Sequence, residues 1–364
     1  MVIGPDPAVP PDPLVGAAAP LFASVAADAE VIDVDGVTSA HVRTLADAGF
    51  LGAWAPVAVG GGGAPPAVVR ELVEQLSGAS GALWFVATQH RSPTEVALAT
   101  GNVELRDRWA RPLASGAALG AVAFAHLRRP GPPSVRAERA SSGWVVSGRL
   151  DWVTSWGLAD VLLLMAETSD GQVVQSLVPA TGRPGLEVTG RLALAAMGAT
   201  STVGVTLDQM PVADHEVARV LPKSEWSDRD AERTANASPA SFGLARAVLA
   251  RLAETSTRRG SAAGEDLAAA LGERLVVLRR RAYELIDGTP AADALDERLR
   301  LRAEALDLAH RASVALVTAE AGRAMLLDSP AQRWAREALF HLVQAQTGAL
   351  REALLTSWRP GPPG

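Results

Sequence analysis

Apolar residues recur at helical spacing through the first third of the chain. In residues 66–77, Val69, Leu72, Val73 and Leu76 fall on one face of a helix, which indicates an amphipathic helix. Similar patterns predict further helices at residues 14–29, 37–48, 81–100 and 105–114. We therefore expect a helical domain over residues 14–115. An extended arm at residues 1–13, which carries five prolines, precedes it.

From residue 116 the pattern changes to short runs of aliphatic and β-branched residues. Gly, Pro, Ser and Asp separate the runs, which lie at residues 143–149, 161–166, 172–178, 186–189 and 203–207. Strands of this length and spacing are typical of a small barrel or sandwich. The pattern thus predicts a compact all-β domain over residues 116–225.

Long helical patterns return at residue 226 and continue to residue 358. They predict four helices, at residues 237–254, 266–286, 292–327 and 330–357, with short links that favour a bundle. In the third, Leu295, Leu299 and Leu306 form one apolar stripe, and residues 293–304 are charged on the other faces. The predicted class is therefore a multidomain α+β protein in the order helices, β domain, four-helix bundle, with a short tail at residues 359–364.

Composition and charge narrow the function classes. The 364 residues carry a formal net charge of −6 and no cysteine. These counts exclude thiol chemistry and Cys-ligated metals, and they argue against general nucleic-acid binding. The six histidines show no metal-binding spacing, so no metal site is expected. No apolar run approaches the ~18 residues of a membrane span, and no Lys or Arg precedes Arg43 as a signal peptide would require. We expect a cytoplasmic protein.

Residues 143–166 carry a resemblance to a known family. Gly148, Trp152, Thr154, Ala159 and Asp160 match the barrel signature of the acyl-CoA dehydrogenases, with Leu150 in place of the family's lysine. Residues 336–338, Arg-Glu-Ala, resemble the family's Arg-Asp-Ala in the last helix. The three-part order is also similar to that family, in which helical domain, β-barrel and four-helix bundle enclose FAD and an acyl-CoA thioester. The resemblance therefore implies a β-barrel in the middle and FAD as cofactor.

The resemblance also implies roles for particular residues. Trp152 would lie against the isoalloxazine, Thr154 would place its hydroxyl near flavin N5 or O4, and Thr347 would contact the ribose or phosphates. Without the resemblance, Trp152 and Trp156 could equally fill the seam between β domain and bundle, since large aromatic residues often do so. Thr347 could equally be a polar residue on a helix face.

The chain departs from the family where the catalytic base is expected. The family's base near the last helix falls on Ala345 or its neighbour Gln344, and neither can remove a proton. One branch of the family carries its base earlier, as Glu-Arg before a glycine, and Glu232-Arg233 before Gly243 has nearly that spacing. Glu232 is thus the candidate base; the alternative is a solvated residue in a polar run. His341, in the last helix, is a weaker site candidate.

A second departure lies before the barrel signature. Residues 125–133 replace the family's flavin loop, so that contacts with the cofactor would fall to the backbone at Phe124 and His126. Arg128 and Arg129 could meet a phosphate or pair on the surface. His126 could carry a proton near the flavin or be structural. Arg259 lies in a segment that matches the corresponding family segment only in part, and it is a further candidate for a contact with a phosphate.

The expected function is that of a flavoprotein oxidoreductase that dehydrogenates an acyl thioester between Cα and Cβ. It would need an external electron acceptor, such as an electron-transfer flavoprotein. The family's shared FAD sites predict a homodimer or homotetramer, or a hetero-oligomer. Two alternatives remain open: a flavin-dependent monooxygenase on the same fold, which needs no carboxylate base, and a catalytically silent partner subunit of a hetero-oligomeric dehydrogenase.

Overall fold

The computed structural model describes residues 12–359. It begins with a helical part, and the arm predicted at residues 1–13 lies outside the described residues except for Asp12 and Pro13. Asp12 caps the first helix by accepting a hydrogen bond from Leu14 N at 2.8 Å, and Pro13 occupies the first turn, where no N–H is needed. The helices of this part are α1 (Pro13–Ala27), α2 (Ala29–Asp35), α3 (Ser39–Asp47), α4 (Pro66–Ala79), α5 (Gly81–Gln89), α6 (Arg91–Ala99) and α7 (Val103–Ala114).

The expected all-β unit is present, but its strands do not close into a barrel. The strands are β1 (Gly120–Ala123), β2 (Val135–Ala140), β3 (Gly143–Val153), β4 (Val161–Glu167), β5 (Gln172–Pro179), β6 (Leu186–Arg191), β7 (Val203–Val212) and β8 (Val217–Pro222). They form one sheet in the order β6-β7-β3-β2-β4-β5-β8, with β1 parallel to β4. Within residues 12–359, β6 pairs only with β7 and β8 only with β5.

The physical reason for the open sheet lies at its edges. β6 is short and mostly exposed, and β8 continues directly into a helix at Lys223. Alternating strands give the same sequence pattern in an open sheet and in a barrel, because the pattern records which face is buried and not whether the edges meet.

The C-terminal part is a helical bundle. Its helices are α8 (Lys223–Ala235), α9 (Pro239–Arg259), α10 (Ala262–Gly288), α11 (Leu295–Glu320), α12 (Pro330–Val343) and α13 (Gly348–Ser357). α9, α10, α11 and α12 pack on one another as the expected four-helix bundle, with α8 and α13 against α11. α4 packs along α9 and so joins the bundle to the N-terminal helices.

The last predicted helix, residues 330–357, is interrupted at residues 344–347. Ala345 has a φ of +48°, a left-handed conformation that a helix does not contain. The hydroxyl of Thr347 then caps α13 by accepting a hydrogen bond from Leu350 N at 3.2 Å. The apolar periodicity runs through this break, which is why the sequence predicted a single helix.

The main hydrophobic core lies between the N-terminal helices and the sheet. Leu45 and Leu72 from the helices and Val146 and Val205 from the strands belong to it. No single helix among the described residues is long and apolar enough to cross a membrane, although α1 and α2 together, bent by 62°, meet the length and composition criterion.

Candidate functional site

Trp152 lies on a bulge at the end of β3. The pairing of β3 with β7 shifts register between Leu150 and Val153, two residues whose side chains are buried. The bulge turns the intervening Trp152 outward, so that its indole is 49% exposed. Bulges are over-represented beside active sites, where they redirect a side chain. A large aromatic face is therefore presented at this end of β3.

Thr154, two residues later, is buried and ends a chain of hydroxyl groups. Its Oγ1 lies 3.0 Å from that of Thr202, which lies 2.8 Å from that of Thr200. Thr200 donates to the carbonyl oxygen of Met197 at 2.8 Å, so Thr202 must donate to Thr200. Thr154 then donates to Thr202, and its oxygen is left as an acceptor for any further partner.

The backbone around Thr154 adopts rare conformations. Ser155, Met197 and Ser201 all have positive φ, of 66°, 60° and 50°. Two hydrogen bonds hold these segments together, from Ser155 N to Thr200 O at 3.0 Å and from Trp156 N to Ser201 O at 3.1 Å. Residues held in such conformations cluster at functional sites, because the surrounding structure must stabilise them. The hydroxyl of Ser155 is buried and has no hydrogen-bond partner.

The segment with Phe124 and His126 reaches the same end of β3. Arg129 and Asp151 form an ion pair of 2.5 Å beside Trp152. The side chain of Phe124 packs edge-on against Trp226 in the core, so only its backbone remains for a ligand. The structure thus brings together the two stretches that the resemblance assigned to the flavin ring.

His126 is a buried histidine without hydrogen-bond partners. Its side chain is 7% exposed, and neither ring nitrogen has a partner. Burial, together with the charges of Lys223 and Arg129, lowers the pKa of His126 to about 4. The ring is therefore neutral at pH 7, with one nitrogen free to donate and the other free to accept.

The predicted phosphate contacts are each engaged within the chain. Arg128 holds Asp230 with two hydrogen bonds of 2.7 and 2.8 Å. Burial raises the pKa of Asp230, but the bonds and charge of Arg128 outweigh it and the pKa is lowered. Arg129 pairs with Asp151, and Arg259 donates to the carbonyl of Glu320 at 3.2 Å. Each of the three thus already has a partner within the chain, and Arg128 contacts both carboxylate oxygens of Asp230.

Glu232 lies on α8, half-buried, and its carboxylate makes no hydrogen bond or ion pair within residues 12–359. Ala345 and Thr347 lie in the break between α12 and α13. The carbonyl of Gln344 in that break accepts a hydrogen bond of 2.8 Å from Arg302, and the same guanidinium donates to the carbonyl of Thr234 at the end of α8. Arg302 therefore connects the helix of Glu232 with the segment where the family's base is expected.

His341, the weaker candidate, is fully buried on α12. Its ring stacks on Trp84 of α5 with centroids 4.8 Å apart. Burial lowers the pKa of His341 to about 3, and the charge of Arg302 acts in the same direction. The neutral ring of His341 thus packs on Trp84 in the last turn of α12, just before the break.

The N-terminal part matches a family model. Residues 18–117 match the acyl-CoA dehydrogenase N-terminal domain. Benzylmalonyl-CoA dehydrogenase of Aromatoleum aromaticum is 27% identical over 179 residues, 47% of each protein. Mitochondrial isovaleryl-CoA dehydrogenase of Pongo abelii is 26% identical over 182 residues, 47% of this chain and 42% of that one. The matched region thus spans about half the length of these curated relatives.

Part of the chain is thus similar in sequence to the acyl-CoA dehydrogenases. The described residues also have the acyl-CoA dehydrogenase fold: a glutaryl-CoA dehydrogenase of Mycobacterium smegmatis, solved in complex with FADH2, superimposes with a TM-score of 0.76. That match has 18% identity and covers 96% of this chain and 95% of the other. The resemblance inferred from residues 143–166 is thereby confirmed, and so is the order of the three parts.

The residues fit the ring end of the FAD expected for an acyl-CoA dehydrogenase better than its phosphate end. At the ring end, Trp152 offers an exposed aromatic face, and His126 and Ser155 offer buried polar atoms without partners. At the phosphate end, the three candidate arginines are engaged. The residues near Trp152 would thus suit the ring, whereas the arginines expected at the diphosphate already have partners within the chain.

Sequence reasoning missed Arg302. It lies in the stretch, residues 293–304, whose charges were expected on outer faces, yet Arg298 and Arg302 are both buried. The only signal available was their spacing of four residues, which puts both on one face of α11. That signal is common in exposed helices and does not mark burial.

Proposed function

We propose that the chain is an FAD-dependent oxidoreductase that dehydrogenates an acyl-CoA thioester. The supporting observation is the exposed Trp152 on its bulge, two residues before a buried threonine whose oxygen remains an acceptor. FAD would supply the acceptor for the hydride that leaves Cβ of the substrate. The glutaryl-CoA dehydrogenase of the same fold, solved with FADH2, supports this choice of cofactor.

The chain's own residues would act on the ring and on the substrate proton. Trp152 would support one face of the ring system. Thr154 would accept a hydrogen bond, since its own proton is engaged by Thr202. His126, neutral at pH 7, would donate or accept at the ring's polar edge. These contacts would bind and orient FAD rather than transfer protons.

Glu232 would remove the proton from Cα. Its carboxylate has no competing partner within the described residues, and Ala345 leaves no base in the break. The two electrons released with the hydride would pass to an external acceptor, such as an electron-transfer flavoprotein.

The test is the visible absorption of the purified protein before and after anaerobic addition of straight-chain acyl-CoA thioesters. A flavin spectrum that bleaches without NADH is expected. In Glu232→Gln the bleaching rate should fall roughly 10²- to 10⁴-fold, the usual loss when a general base is removed. Glu225→Gln is the matched control, because Glu225 lies on the same helix and pairs with Arg229.

Three outcomes would contradict the proposal. Protein that takes up no FAD when it is supplied would instead fit a silent partner subunit. Flavin that is bleached by NADH but not by acyl-CoA, and that O₂ reoxidises while a substrate is oxygenated, would fit a monooxygenase. A Glu232→Gln variant as fast as wild type would remove Glu232 as the base.

Self-association is also proposed. Met325, Leu326, Leu327, Leu339 and Val343 are exposed apolar side chains of the segments around α12. Exposed apolar side chains that cluster in this way often mark a surface that binds another protein. Light scattering should give a mass at least twice the 37.7 kDa of one chain.

A further inference from the structure

Two arginines of α11 are buried without a carboxylate partner. Arg298 and Arg302 lie one helical turn apart and are each 4% exposed. Neither forms an ion pair among the described residues, and the Nε of each has no hydrogen-bond partner. A buried charge is costly unless something compensates it, so the surroundings of these two side chains must do so.

The compensation comes from the ends of three other helices. Arg302 donates to the carbonyl of Thr234 in the last turn of α8 and to that of Gln344, at 2.8 Å, just after α12. Arg298 donates to the side chain of Asn236 and to the carbonyls of Leu285, at 3.2 Å, and Thr289, at 2.6 Å, at the end of α10. The C-terminal carbonyls of a helix carry partial negative charge, so cations are stabilised there.

The two arginines differ in what they hold. Arg298 joins the ends of α8 and α10 and has no hydrogen bond to the break between α12 and α13. Arg302 instead contacts Gln344, the residue before Ala345 with its positive φ, and Thr234, two residues after Glu232. One guanidinium thus holds both segments that could face the acyl group.

We propose that Arg302 is a positioning residue that fixes the break between α12 and α13 against the end of α8. It keeps the backbone of residues 344–347 in place and sets the position of Glu232 relative to that backbone. Its effect on turnover rests on the proposed function, whereas its effect on the break does not.

The experiment compares Arg302→Met with Arg298→Met. Both variants remove an equally buried guanidinium from the same face of α11, so general destabilisation is matched. Amide hydrogen exchange of residues 344–347 should accelerate at least about tenfold in Arg302→Met, and less than about twofold in Arg298→Met, because only Arg302 touches this segment. Arg302→Lys should give an intermediate rate, since one ammonium can replace only part of the planar fork.

Turnover provides a second readout. In Arg302→Met, kcat with an acyl-CoA thioester should fall roughly tenfold to a hundredfold at unchanged FAD content, because misplacement by about 1 Å costs that much. Arg302→Lys should recover part of the loss.

Equal acceleration of exchange in the two methionine variants, or none in Arg302→Met, would overturn the inference. If Arg302→Met does not fold, wild-type exchange in Arg302→Lys would overturn it as well. Wild-type protein that neither binds FAD nor reduces it with acyl-CoA would refute the proposed function, and the exchange comparison would still decide whether Arg302 holds the break.

Discussion

Two regions of the bundle bury charged side chains in different ways. In the first, Glu71 and Glu74 are fully buried between α4, α9 and α10, and each pairs with both Arg246 and Arg279. In the second, the buried arginines of α11 have only carbonyl and amide oxygens as hydrogen-bond partners. Tyr283 adds a hydrogen bond to Glu74 in the first cluster. That cluster joins two carboxylates to two guanidinium groups. The arginine pair of α11 has helix-end oxygens as its hydrogen-bond partners, and the nearby charge of Asp230 also acts on Arg302.

The difference in partners indicates that buried charge stabilises the fold in the first region and fixes the positions of helix ends in the second. The paired cluster contains its own compensation and joins α4 of the N-terminal part to the bundle, so its role is in stability. The arginine pair depends on segments from α8, α10 and α12, and it therefore couples their positions. A change in the first region should appear as lost stability, and a change in the second as a displaced site.

The largest expected effect is from Arg279→Met in the paired cluster. It leaves two buried carboxylates with one arginine, and breaking a buried pair from one side typically costs about 3–5 kcal/mol. Urea unfolding measures the loss. Arg280→Met is the control, because Arg280 is exposed and lies 4.0 Å from its partner Glu284. A loss of under about 1 kcal/mol in Arg279→Met would show that the cluster does not stabilise the contact of α4 with the bundle.

A smaller effect is expected where α9 touches α4. A Cβ at Gly243 would lie 2.0 Å from the carbonyl oxygen of Glu74 and 2.4 Å from the hydroxyl of Ser77, so Gly243→Ala must push the helices apart. Such overpacking costs about 1–3 kcal/mol. Gly272→Ala, on α10 with no atom within 4 Å of its Cβ, should instead stabilise by about 0.5–1 kcal/mol. Equal effects in the two variants would disprove the close contact.

At neutral pH the smallest effect is expected from His341, beside the arginine pair of α11, and this effect grows as the pH falls. The pKa of His341 is lowered from 6.5 to about 3, chiefly by burial and also by Arg302. Between these values the unfolded chain binds a proton that the folded chain does not, so stability falls as pH decreases from about 6.5 to about 3. The slope from one such histidine is up to ~1.4 kcal/mol per pH unit.

His341→Phe keeps an aromatic ring on Trp84 and removes that proton. Unfolding free energies measured between pH 4 and 7 should therefore fall less steeply than in wild type, while His215→Gln at an exposed position should leave the slope unchanged. His90 and His126, each with its pKa lowered to about 4 chiefly by burial, keep part of the acid sensitivity in both variants. An unchanged slope in His341→Phe would contradict the buried neutral ring.

The sequence motif indicated Trp152 and Thr154 but not Arg302, and the roles of Trp152 and Thr154 toward a flavin stay predictions. Trp152 and Thr154 stand in one continuous stretch, where a local motif is sufficient to identify them. Phe124 was indicated for its backbone, and the structure shows that its side chain belongs to the core. The break at Ala345 and the burial of Arg302 depend on contacts between residues more than forty positions apart, which no local pattern records.

By itself the sequence determined the order of helical part, sheet and bundle, because hydrophobic periodicity is a local property of each element. It also determined the resemblance to the acyl-CoA dehydrogenases, through residues that lie close together in the chain, in β3 and just after it. Only the tertiary structure decided that the sheet stays open, that the predicted phosphate arginines are engaged, and that α11 supplies the cation beside the break. Each of these depends on where distant backbone carbonyls, carboxylates and strand edges meet, and that is set by packing rather than by sequence neighbours.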